Sequence, residues 1–554
     1  MMNFSSFITL KEEISSIFSR YVKIQSYTNT LEEKLVEPFL ESWFKEQNYF
    51  LKHPQFWGSH PVVKDPLNRN VIWGMVKGTG EDTIVLIHHY DVVEIEDFET
   101  VKPFAHDVHH INHKIQSMLH KFDPEAIDDL KNGKWQFGRG SADMKAGGSI
   151  QLALLKQYAK EPDFQGNIVI LCLPDEENLS AGMRAAIDLL SVLKQKFQLH
   201  YQLMINSEPH QRLKNDCGVV SEGSVGKLMP VVYVRGSLAH VGRIFEGLNP
   251  LHIISQFVIN TDLNMDFSDI FDGEATPPPS WLYLKDQKTH YDVSIPTKIR
   301  AYLSVLTMNT QPEKFLAKLK SAAEQSFAMV IQRINQSYKK YLELINQPAR
   351  KLPWKVNVKT FAELFAEVSE IKGGSFILAY QNKLARINEA VSAGNKNLIE
   401  TSFDLIELCL EHSRDKSPII VIGLSPPYYP DVTNQRIPDL DSKIRHLTQT
   451  INQFSMKKWQ QPYISRKYYT GISDLSYSSL FHNVDLLTSV AANMPLWGET
   501  YQIPFDEIMK IKMPCINIGP WGKDFHKLTE RVLMEDLYER TPKILDYVIK
   551  HILN

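Results

Sequence analysis

The sequence predicts an α/β protein whose mostly parallel sheet is interrupted by an inserted α+β region. Apolar runs of strand length alternate with helical stretches between Val71 and Pro209, which is the pattern of βαβ units. Residues suited to bind metal ions follow these runs, and one more, His526, comes after a long region of different character. Ligands at the carboxyl ends of parallel strands converge at one sheet edge, so we expect the intervening region to be an insertion.

The first predicted domain segment, residues 1–223, begins with a helical stretch and continues as alternating strands and helices. Thr30 and Glu33 match the pattern of a capping box ahead of the amphipathic run Leu31–Phe44. The later elements follow from apolar runs and periodicity: strands at 71–76, at 84–88, from 167 and from 201, and helices from 146 and from 181.

The inserted domain is predicted over residues 224–436, and the first domain resumes at 437–554. The insertion should contain an exposed-sheet strand at 228–235, strands at 294–308 and 418–424, and helices at 249–260, at 312–346 and near 362, 384 and 399. The proline-rich run 426–430 is expected to end the last of these strands. The sheet pattern returns with Gly471–Asp474 and a strand at Cys515, before a final helix at 534–552.

Composition excludes several classes of partner. The 554 residues are 43% hydrophobic and 23% charged, which is typical of a soluble protein with an ample core. A net charge of −3 gives no electrostatic reason to expect nucleic acid or anionic membranes as partners. The four widely spaced cysteines are expected to be free thiols, and no run reaches the roughly 18 apolar residues of a membrane span. The N-terminus lacks a secretory signal pattern, so we expect a cytoplasmic protein.

Five short polar segments form a candidate metal site. They are His89-Tyr90-Asp91, Gly140-Ser141-Ala142-Asp143, Asp175-Glu176-Glu177, Ser207-Glu208-Pro209 and Phe525-His526. Two histidines with several carboxylates make a nitrogen and oxygen ligand set suited to zinc, cobalt or manganese. Asp91 follows two residues after His89 on the same side of the strand, where it can hold the second imidazole nitrogen. Each segment alone has an ordinary explanation, such as a turn, a helix cap or a loop histidine, but their joint occurrence favours a metal site.

Glu176 and Glu177 are the sharpest part of this pattern. Two carboxylates directly after an apolar strand are costly to bury unless one binds a cation and the other acts as an acid or base. Acidic residues also favour helix N-termini, and a cap on the helix from Ala181 explains one of them. It hardly explains both together with Asp175, which favours a functional site.

The segments, in this order, resemble the signatures of the aminoacylase, acetylornithine deacetylase and peptidase T family of co-catalytic metallohydrolases. The matching strings are Ile87–Val93, Gly138–Lys145, Pro174–Glu177, Ser207–Pro209 and His526-x-x-x-Glu530. Chain length, the string Gly471–Tyr477 and the Pro-Pro-Tyr-Tyr-Pro run are most similar to the arginine-utilization (RocB-type) branch of that family.

The resemblance implies two divalent metal ions, with zinc preferred and cobalt or manganese as alternatives. The implied ligands are Asp143 shared by both ions, His89 and Glu208 for one ion, and Glu177 and His526 for the other. Glu176 would be the general base, and Asp91 would clamp His89. The peptide bond after the shared aspartate is often cis in this family.

The inserted region resembles the family's lid, which is usually also its dimerization domain, so the resemblance implies a homodimer. His240 matches the histidine that reaches a neighbouring subunit's site and supports the oxyanion, although a surface histidine in a turn would look the same. Asn249 fits the lid asparagine. The run Ser304–Asn309 lacks the arginine with which many relatives hold a substrate carboxylate, a role that would fall to another residue, for example Arg300 or Arg243.

We therefore predict a cytoplasmic zinc-dependent hydrolase that cleaves an amide or peptide bond in an N-acyl amino acid or short peptide. The alternatives are a dipeptidase or carboxypeptidase, and a metal-stabilised binding protein without hydrolysis, which would have no need of Glu176. An oligomeric scaffold would leave the metal ligands unexplained. No nucleic acid and no membrane is expected as a partner. A histidine cluster is interpreted as solvated surface: His106, His109, His110 and His113.

Overall fold

The computed structural model describes residues 9–161, 163–212, 217–481 and 484–553. The chain groups into two compact units, and both are discontinuous in sequence. The first comprises Met1–Val225, Val432–Phe481 and Pro504–Asn554. The second comprises Gly226–Asp431 and His482–Ile503.

An eight-stranded sheet forms the centre of the first unit. Its strands are β1 (Trp57–Pro61), β2 (Asn70–Lys77), β3 (Asp82–His89), β4 (Asn167–Leu173), β5 (His200–Asn206), β6 (Gly218–Ser221), β7 (Tyr463–Arg466) and β8 (Cys515–Asn517). Their order across the sheet is β1-β2-β4-β3-β5-β8-β6-β7. Strands β4, β3, β5 and β8 are parallel neighbours, and so are β6 and β7. The mostly parallel sheet predicted from the sequence is confirmed.

The central strands are continuous apolar runs because helices cover both faces of a parallel sheet. Ile84–Ile87 and Ile168–Leu173 are fully buried. The helices of this unit include Leu10–Val22, Val36–Lys45, Asn48–Lys52, Pro124–Asn132, Lys145–Tyr158, Ala181–Phe197, Leu447–Trp459, Phe505–Ile511 and Thr541–Leu553. The carboxyl ends of β3, β4, β5 and β8 each lead into one of the predicted metal-binding segments.

The capping box predicted at Thr30 is wrong. Leu31–Leu35 forms a 3-10 helix, the α-helix covers Val36–Lys45, and the Thr30 side chain makes no capping hydrogen bond. Glu33 turns inward instead, where its carboxylate accepts a hydrogen bond from the buried Arg69 at 2.8 Å. The competing partner is a charged group far along the chain, which no local pattern reveals.

The second unit is built on a five-stranded sheet. Across the sheet its strands are Ser280–Asp286, Lys298–Thr307, Gly226–Arg235, Ile419–Tyr429 and Val358–Thr360. Its helices include Pro250–Thr261, Pro312–Leu344, Phe361–Lys372, Gly374–Ser392, Leu398–His412 and Val484–Asn493. This is the α+β architecture expected of the insertion.

Two strands of this second sheet differ from the prediction. Gly226–Arg235 is the middle strand and is buried along most of its length, whereas an exposed-sheet strand was expected. Ile419–Tyr429 continues through the proline run, with a cis Pro426–Pro427 bond. The pairing register shifts between Ser425 and Tyr429, so the ladder skips the prolines and needs none of their missing amides.

The C-terminal segment also differs in detail. Gly471–Asp474 is a turn followed by a 3-10 helix at Asp474–Tyr477, where sheet pattern was expected. The last helical stretch begins at Met534, as predicted: a π-helical turn at Asp536–Arg540 leads into the α-helix Thr541–Leu553. All four cysteines are free, as predicted. Within the described chain, no helix combines the length and apolar character needed to cross a membrane.

Candidate metal centre

His89 is the last residue of β3, and its ring is buried at the end of the strand. Its Nε2 lies 3.0 Å from Oδ1 of Asp143 and 3.4 Å from Oε1 of Glu208. The neighbouring His88 points to the other face of the sheet, where its Nδ1 is 3.0 Å from Oε1 of Gln151. Strand alternation therefore sends only His89 to the carboxylates, as the sequence predicts.

Asp91 links His89 to the next strand end. Nδ1 of His89 lies 3.0 Å from the backbone oxygen of Asp91 and 3.5 Å from its Oδ1. The two carboxylate oxygens of Asp91 accept hydrogen bonds from the backbone amides of Glu176 and Glu177, both at 3.2 Å. One buried side chain thus orients the imidazole and fixes the segment that carries the adjacent glutamates.

Asp143 lies between two imidazoles. Its Oδ1 faces Nε2 of His89 at 3.0 Å, and its Oδ2 faces Nε2 of His526 at 3.4 Å. It sits in the turn before helix Lys145–Tyr158, and its peptide bond to Met144 is cis, as the resemblance implies. A carboxylate that offers one oxygen to each histidine has the arrangement of a ligand shared by two cations.

His526 comes from a loop of a small antiparallel sheet and is half-exposed. Its Nε2 lies 2.9 Å from Oε1 of Glu177. The loop is anchored by the buried Arg531, whose Nε donates to Asp129 at 2.8 Å and which also pairs with Asp524. The imidazole is therefore held at the site by a charged network beneath the loop.

Two groups of potential ligand atoms occur among the described residues. One oxygen or nitrogen from each of His89, Asp143 and Glu177 lies within 4.8 Å of the others, and the same holds for His89, Glu176 and Glu208. The structure therefore brings the five predicted ligands together and also places Glu176 among them. Imidazole nitrogens with carboxylate oxygens form a donor set that fits zinc, cobalt or manganese.

The charges of these groups oppose one another. Burial, reinforced by neighbouring carboxylates, raises the pKa of Glu176 and raises that of Glu208 to about 8. Hydrogen bonds to Asp143 and Glu177 raise the pKa of His526 to about 11. Burial raises the pKa of Asp143, but hydrogen bonds to His526 and His89 outweigh burial and hold this pKa far below its usual range. Protons thus balance the charge of a cluster of carboxylates, a role that divalent cations can take over.

Glu530 supports Asp143, a role that sequence reasoning missed. One carboxylate oxygen of Glu530 accepts from the backbone amides of Ala142 and Asp143 at 3.1 and 3.3 Å. The other accepts from Nη1 of Arg139 at 2.7 Å, and both side chains are buried. Arg139 and Glu530 both lie in strings that resemble the family's signatures. The sequence therefore marked both residues but did not indicate that Glu530 supports Asp143.

Asp175 has a structural role beside the site. Its Oδ2 accepts from the backbone amide of Ala181 at 3.1 Å, and its Oδ1 accepts from Arg69 at 2.6 Å. Arg69 also bonds Glu33 and Asp65, so three buried carboxylates surround one guanidinium. The helix-cap interpretation therefore applies to Asp175, and leaves the two glutamates after it for the metal centre.

His240 and Asn249 both lie in the second unit. His240 is exposed, and its Nδ1 accepts a hydrogen bond from the backbone amide of Gly242 at 3.0 Å. Asn249 caps the helix Pro250–Thr261 by accepting from the amide of Leu251 at 2.9 Å. Neither is among the side chains that form the two ligand groups.

Arg300 is committed to ion pairs within the second unit. Its Nη2 donates to Asp404 and to Glu407, each at 3.0 Å. Arg243 is exposed and pairs with Glu246 three residues later. Arg300 is already neutralised by these carboxylates, which makes it a poor candidate for holding a substrate carboxylate.

The histidine cluster is solvated only in part. His109, His110 and His113 are exposed, as predicted. His106 is buried, and its Nε2 lies 3.2 Å from the hydroxyl of Tyr27, so the surface interpretation is wrong for this residue. The loop is polar in composition, but its apolar residues, such as Ala105 and Ile111, are buried in a hydrophobic cluster.

Comparisons with known proteins agree with this geometry. The sequence profile of Peptidase family M20/M25/M40 matches residues 85–371. The uncharacterized protein YqjN of Bacillus subtilis is 31% identical over 550 residues, which cover 98% of this chain and 97% of that protein. Protein RocB of the same organism is 27% identical over 547 residues, covering 98% and 95%.

Solved structures show the same fold at low sequence identity. The di-peptidase Dug1p from Saccharomyces cerevisiae matches with a TM-score of 0.54 at 10% identity, covering 98% of this chain and 96% of that chain. The aminopeptidase PepT from Bacillus cereus matches with a TM-score of 0.51 at 12% identity, covering 98% and 99%. Fold and family together define the class as a metal-dependent peptidase or amidohydrolase. The chain belongs to Peptidase family M20/M25/M40.

Proposed function

We propose that this protein hydrolyses an amide or peptide bond in a small substrate, with two divalent metal ions bound at the ends of the central strands. The observation that carries the proposal is the position of Asp143, whose two oxygens face the two histidines His89 and His526 at 3.0 and 3.4 Å. Asp143 would serve both ions, His89 and Glu208 would hold one of them, and Glu177 and His526 would hold the other. Zinc is the proposed metal.

The catalytic residues of the proposal come from the first unit. The metal ions, when bound, would polarise the scissile carbonyl and lower the pKa of a water molecule. Glu176 takes the proton of the attacking water and delivers it to the leaving amine. The position of its carboxylate supports this role, because an oxygen of Glu176 lies within 4.8 Å of the ligand atoms of His89 and Glu208. Asp91 keeps both His89 and the Glu176 backbone in position.

We further propose a catalytic domain of residues 1–223 and 437–554, of which 482–503 group with the second unit, and residues 224–436 as a lid that also forms a homodimer. The supporting observation is that the five candidate ligands come only from the first and last of these three segments. His240 then acts from the lid on the oxyanion, either within one chain after closure or across the dimer.

N-acyl amino acids and short peptides are the proposed substrates, with a connection to arginine use suggested by the likeness to protein RocB. A dipeptidase or carboxypeptidase is the second candidate, and the di-peptidase Dug1p has the same fold. The ion pairs of Arg300 argue against the use of this residue for a substrate α-carboxylate. A binding protein without hydrolysis is disfavoured because it has no need of Glu176.

The test is a hydrolysis screen of the full chain loaded with zinc, cobalt or manganese. N-acetyl and N-succinyl amino acids, including the arginine derivatives, form one arm, and dipeptides form the other. Metal-dependent release of free amine, abolished by a chelator and restored by metal, is the expected result. Tight binding of two ions with no turnover in either arm would favour the binding-protein alternative.

A further inference from the structure

The segment that begins at Tyr469 comes from the resumed first unit and carries no assigned role. The backbone of Tyr469 is fixed at both polar atoms: its amide donates to the oxygen of Gly223 at 2.8 Å, and its oxygen accepts from the amide of Val225 at 3.0 Å. Ser224 forms a bridge with the same residue. Tyr469 is therefore held by main-chain pairing, independently of its side chain.

The Tyr469 ring packs against a glycine whose missing side chain makes the space for it. A Cβ atom on Gly471 would lie 2.7 Å from Cε1 of the ring and 2.9 Å from both Cζ and the hydroxyl oxygen. Such distances are far below van der Waals contact, so any side chain at 471 would displace the phenol. The glycine is needed here for a close approach rather than for an unusual backbone conformation.

The segment that carries Tyr469 returns to the strand end that carries Glu208. Nδ2 of Asn206, the last residue of β5, donates to Oγ of Ser473 at 2.9 Å, and Glu208 follows Asn206 by two residues.

Burial raises the pKa of Tyr469, and the carboxylates of Glu208, Asp143 and Glu176 raise it further, while His89 acts in the opposite direction. All four groups come from strand ends or turns before residue 210, whereas Tyr469 comes from the resumed segment. A phenol, with an ordinary pKa of about 10, is in any case protonated at neutral pH, so the Tyr469 hydroxyl is available as a hydrogen-bond donor.

A site of this composition has a chemical need for such a donor. With metal ions bound, the carboxylates and imidazoles of the ligand groups accept and do not donate toward substrate. Negative charge develops on the carbonyl oxygen as water attacks an amide, and a preorganised neutral donor stabilises that charge. A phenol meets this requirement without adding a charge to the site.

We propose that Tyr469 is a catalytic residue whose hydroxyl donates a hydrogen bond to the scissile carbonyl oxygen of the substrate. The proton stays on the phenol throughout, so the bonds made and broken are those of the hydrolysis itself. This inference rests on the proposed function. It assigns to the first unit an oxyanion contact of its own, in addition to any contribution of His240 from the second unit.

The experiment compares Tyr469→Phe with the matched control Tyr463→Phe in the metal-loaded full-length protein. Tyr463 lies on β7, and its buried hydroxyl has no hydrogen-bond partner among the described residues. With N-acetyl-L-leucine and glycyl-L-leucine as probes, we expect Tyr469→Phe to lower kcat by about 10²-fold, the usual effect of losing one oxyanion donor. KM and metal content should change little, and the control should retain wild-type turnover.

A second readout does not depend on turnover. Phosphinic analogues of the same two compounds carry the tetrahedral, negatively charged centre, and their binding is measured by calorimetry. Tyr469→Phe should weaken the analogue by about 10²-fold while leaving the affinity for the product leucine unchanged. Gly471→Ala keeps the hydroxyl but displaces the ring, so it should show a similar loss, and the double variant should be no worse than either single one.

The outcomes separate this inference from the proposed function. If Glu176→Gln abolishes turnover and Tyr469→Phe stays within twofold of wild type in both readouts, the role of Tyr469 is overturned and the hydrolase proposal stands. If the wild-type protein hydrolyses no compound of the hydrolysis screen and binds neither phosphinic analogue, both proposals fail. A loss of metal in Tyr469→Phe would also overturn the inference, because it would make the residue structural.

Discussion

Replacing Glu176 with glutamine removes the proposed base while keeping the volume of the side chain. The backbone amide of residue 176 would still donate to Oδ1 of Asp91, as it does at 3.2 Å in the native protein, so the segment should keep its position. A general base contributes roughly 10²–10⁴-fold to a rate. At about 1.4 kcal/mol for each tenfold change, the variant should lose about 3–5 kcal/mol of transition-state stabilisation.

The assay measures turnover and metal content on the same preparation. We expect kcat of Glu176→Gln to fall in that range while the variant still carries two ions for each chain. Glu222→Gln is the matched control, because Glu222 is another glutamate of the first unit, accepts hydrogen bonds from Thr448 and Gln435 at 2.6 and 3.0 Å, and belongs to neither ligand group. It should retain wild-type turnover.

Two results would refute the reasoning about Glu176. Unchanged turnover would mean that another group removes the proton from water. Loss of metal together with activity would make Glu176 a ligand, a role open to it because its carboxylate lies in one group with His89 and Glu208.

Three further predictions follow from charges and exposure. Metal binding should release protons at pH 7, because Glu208 and His526, whose pKa values are raised to about 8 and about 11, are protonated in the metal-free protein. The affinity for metal ions should therefore rise from pH 6 to 8. Calorimetry of metal binding in buffers of different ionisation enthalpy should detect the released protons, and metal binding without proton release would contradict this prediction. Arg69→Met should lower the free energy of unfolding by about 3–5 kcal/mol because it strands three buried carboxylates, whereas Arg20→Met, which breaks an exposed pair, should cost about 0–1 kcal/mol in urea denaturation. An equal loss of unfolding free energy in Arg69→Met and Arg20→Met would contradict this prediction. Mixing inactive Glu176→Gln chains with inactive His240→Ala chains should restore activity if His240 acts across a dimer, and no recovery despite measured exchange of subunits would favour closure within one chain.

The sequence predicted the residues of the candidate site better than it predicted the local structure. His89, Glu177 and Glu208 follow directly on buried strands, and parallel strands end at one edge, so their convergence could be argued from order alone. His526 required the additional inference that the sheet resumes after an insertion. The strand β8 pairs with β5 in the parallel sense, which is the physical reason that a residue so late in the chain reaches the site.

The failures share a cause. Glu33 bonds Arg69 instead of forming the predicted capping box, and His106 is buried beside Tyr27 instead of lying at the surface. In both cases a partner distant in sequence outweighs the local pattern. The supporting role of Glu530 also depends on a contact with Arg139 across most of the chain. Local periodicity contains no information about such partners, so these roles could be seen only once the chain was folded.

The end of the strand Ile419–Tyr429 was predicted wrongly for a different reason. Proline normally ends a strand, but here the pairing skips the residues between Ser425 and Tyr429, and the strand resumes beyond them. A break in register is a property of two strands together, and neither strand's sequence shows it alone.

The most direct test of the central claim is a crystal structure of the zinc-loaded protein with anomalous data collected at the zinc edge. The account predicts two anomalous peaks, about 3.5–4 Å apart, with Asp143 between them. His89 and Glu208 should contact one peak, and Glu177 and His526 the other. A single peak, or peaks that leave His526 or Glu208 without contact to an ion, would contradict the two-metal site on which the proposed chemistry rests.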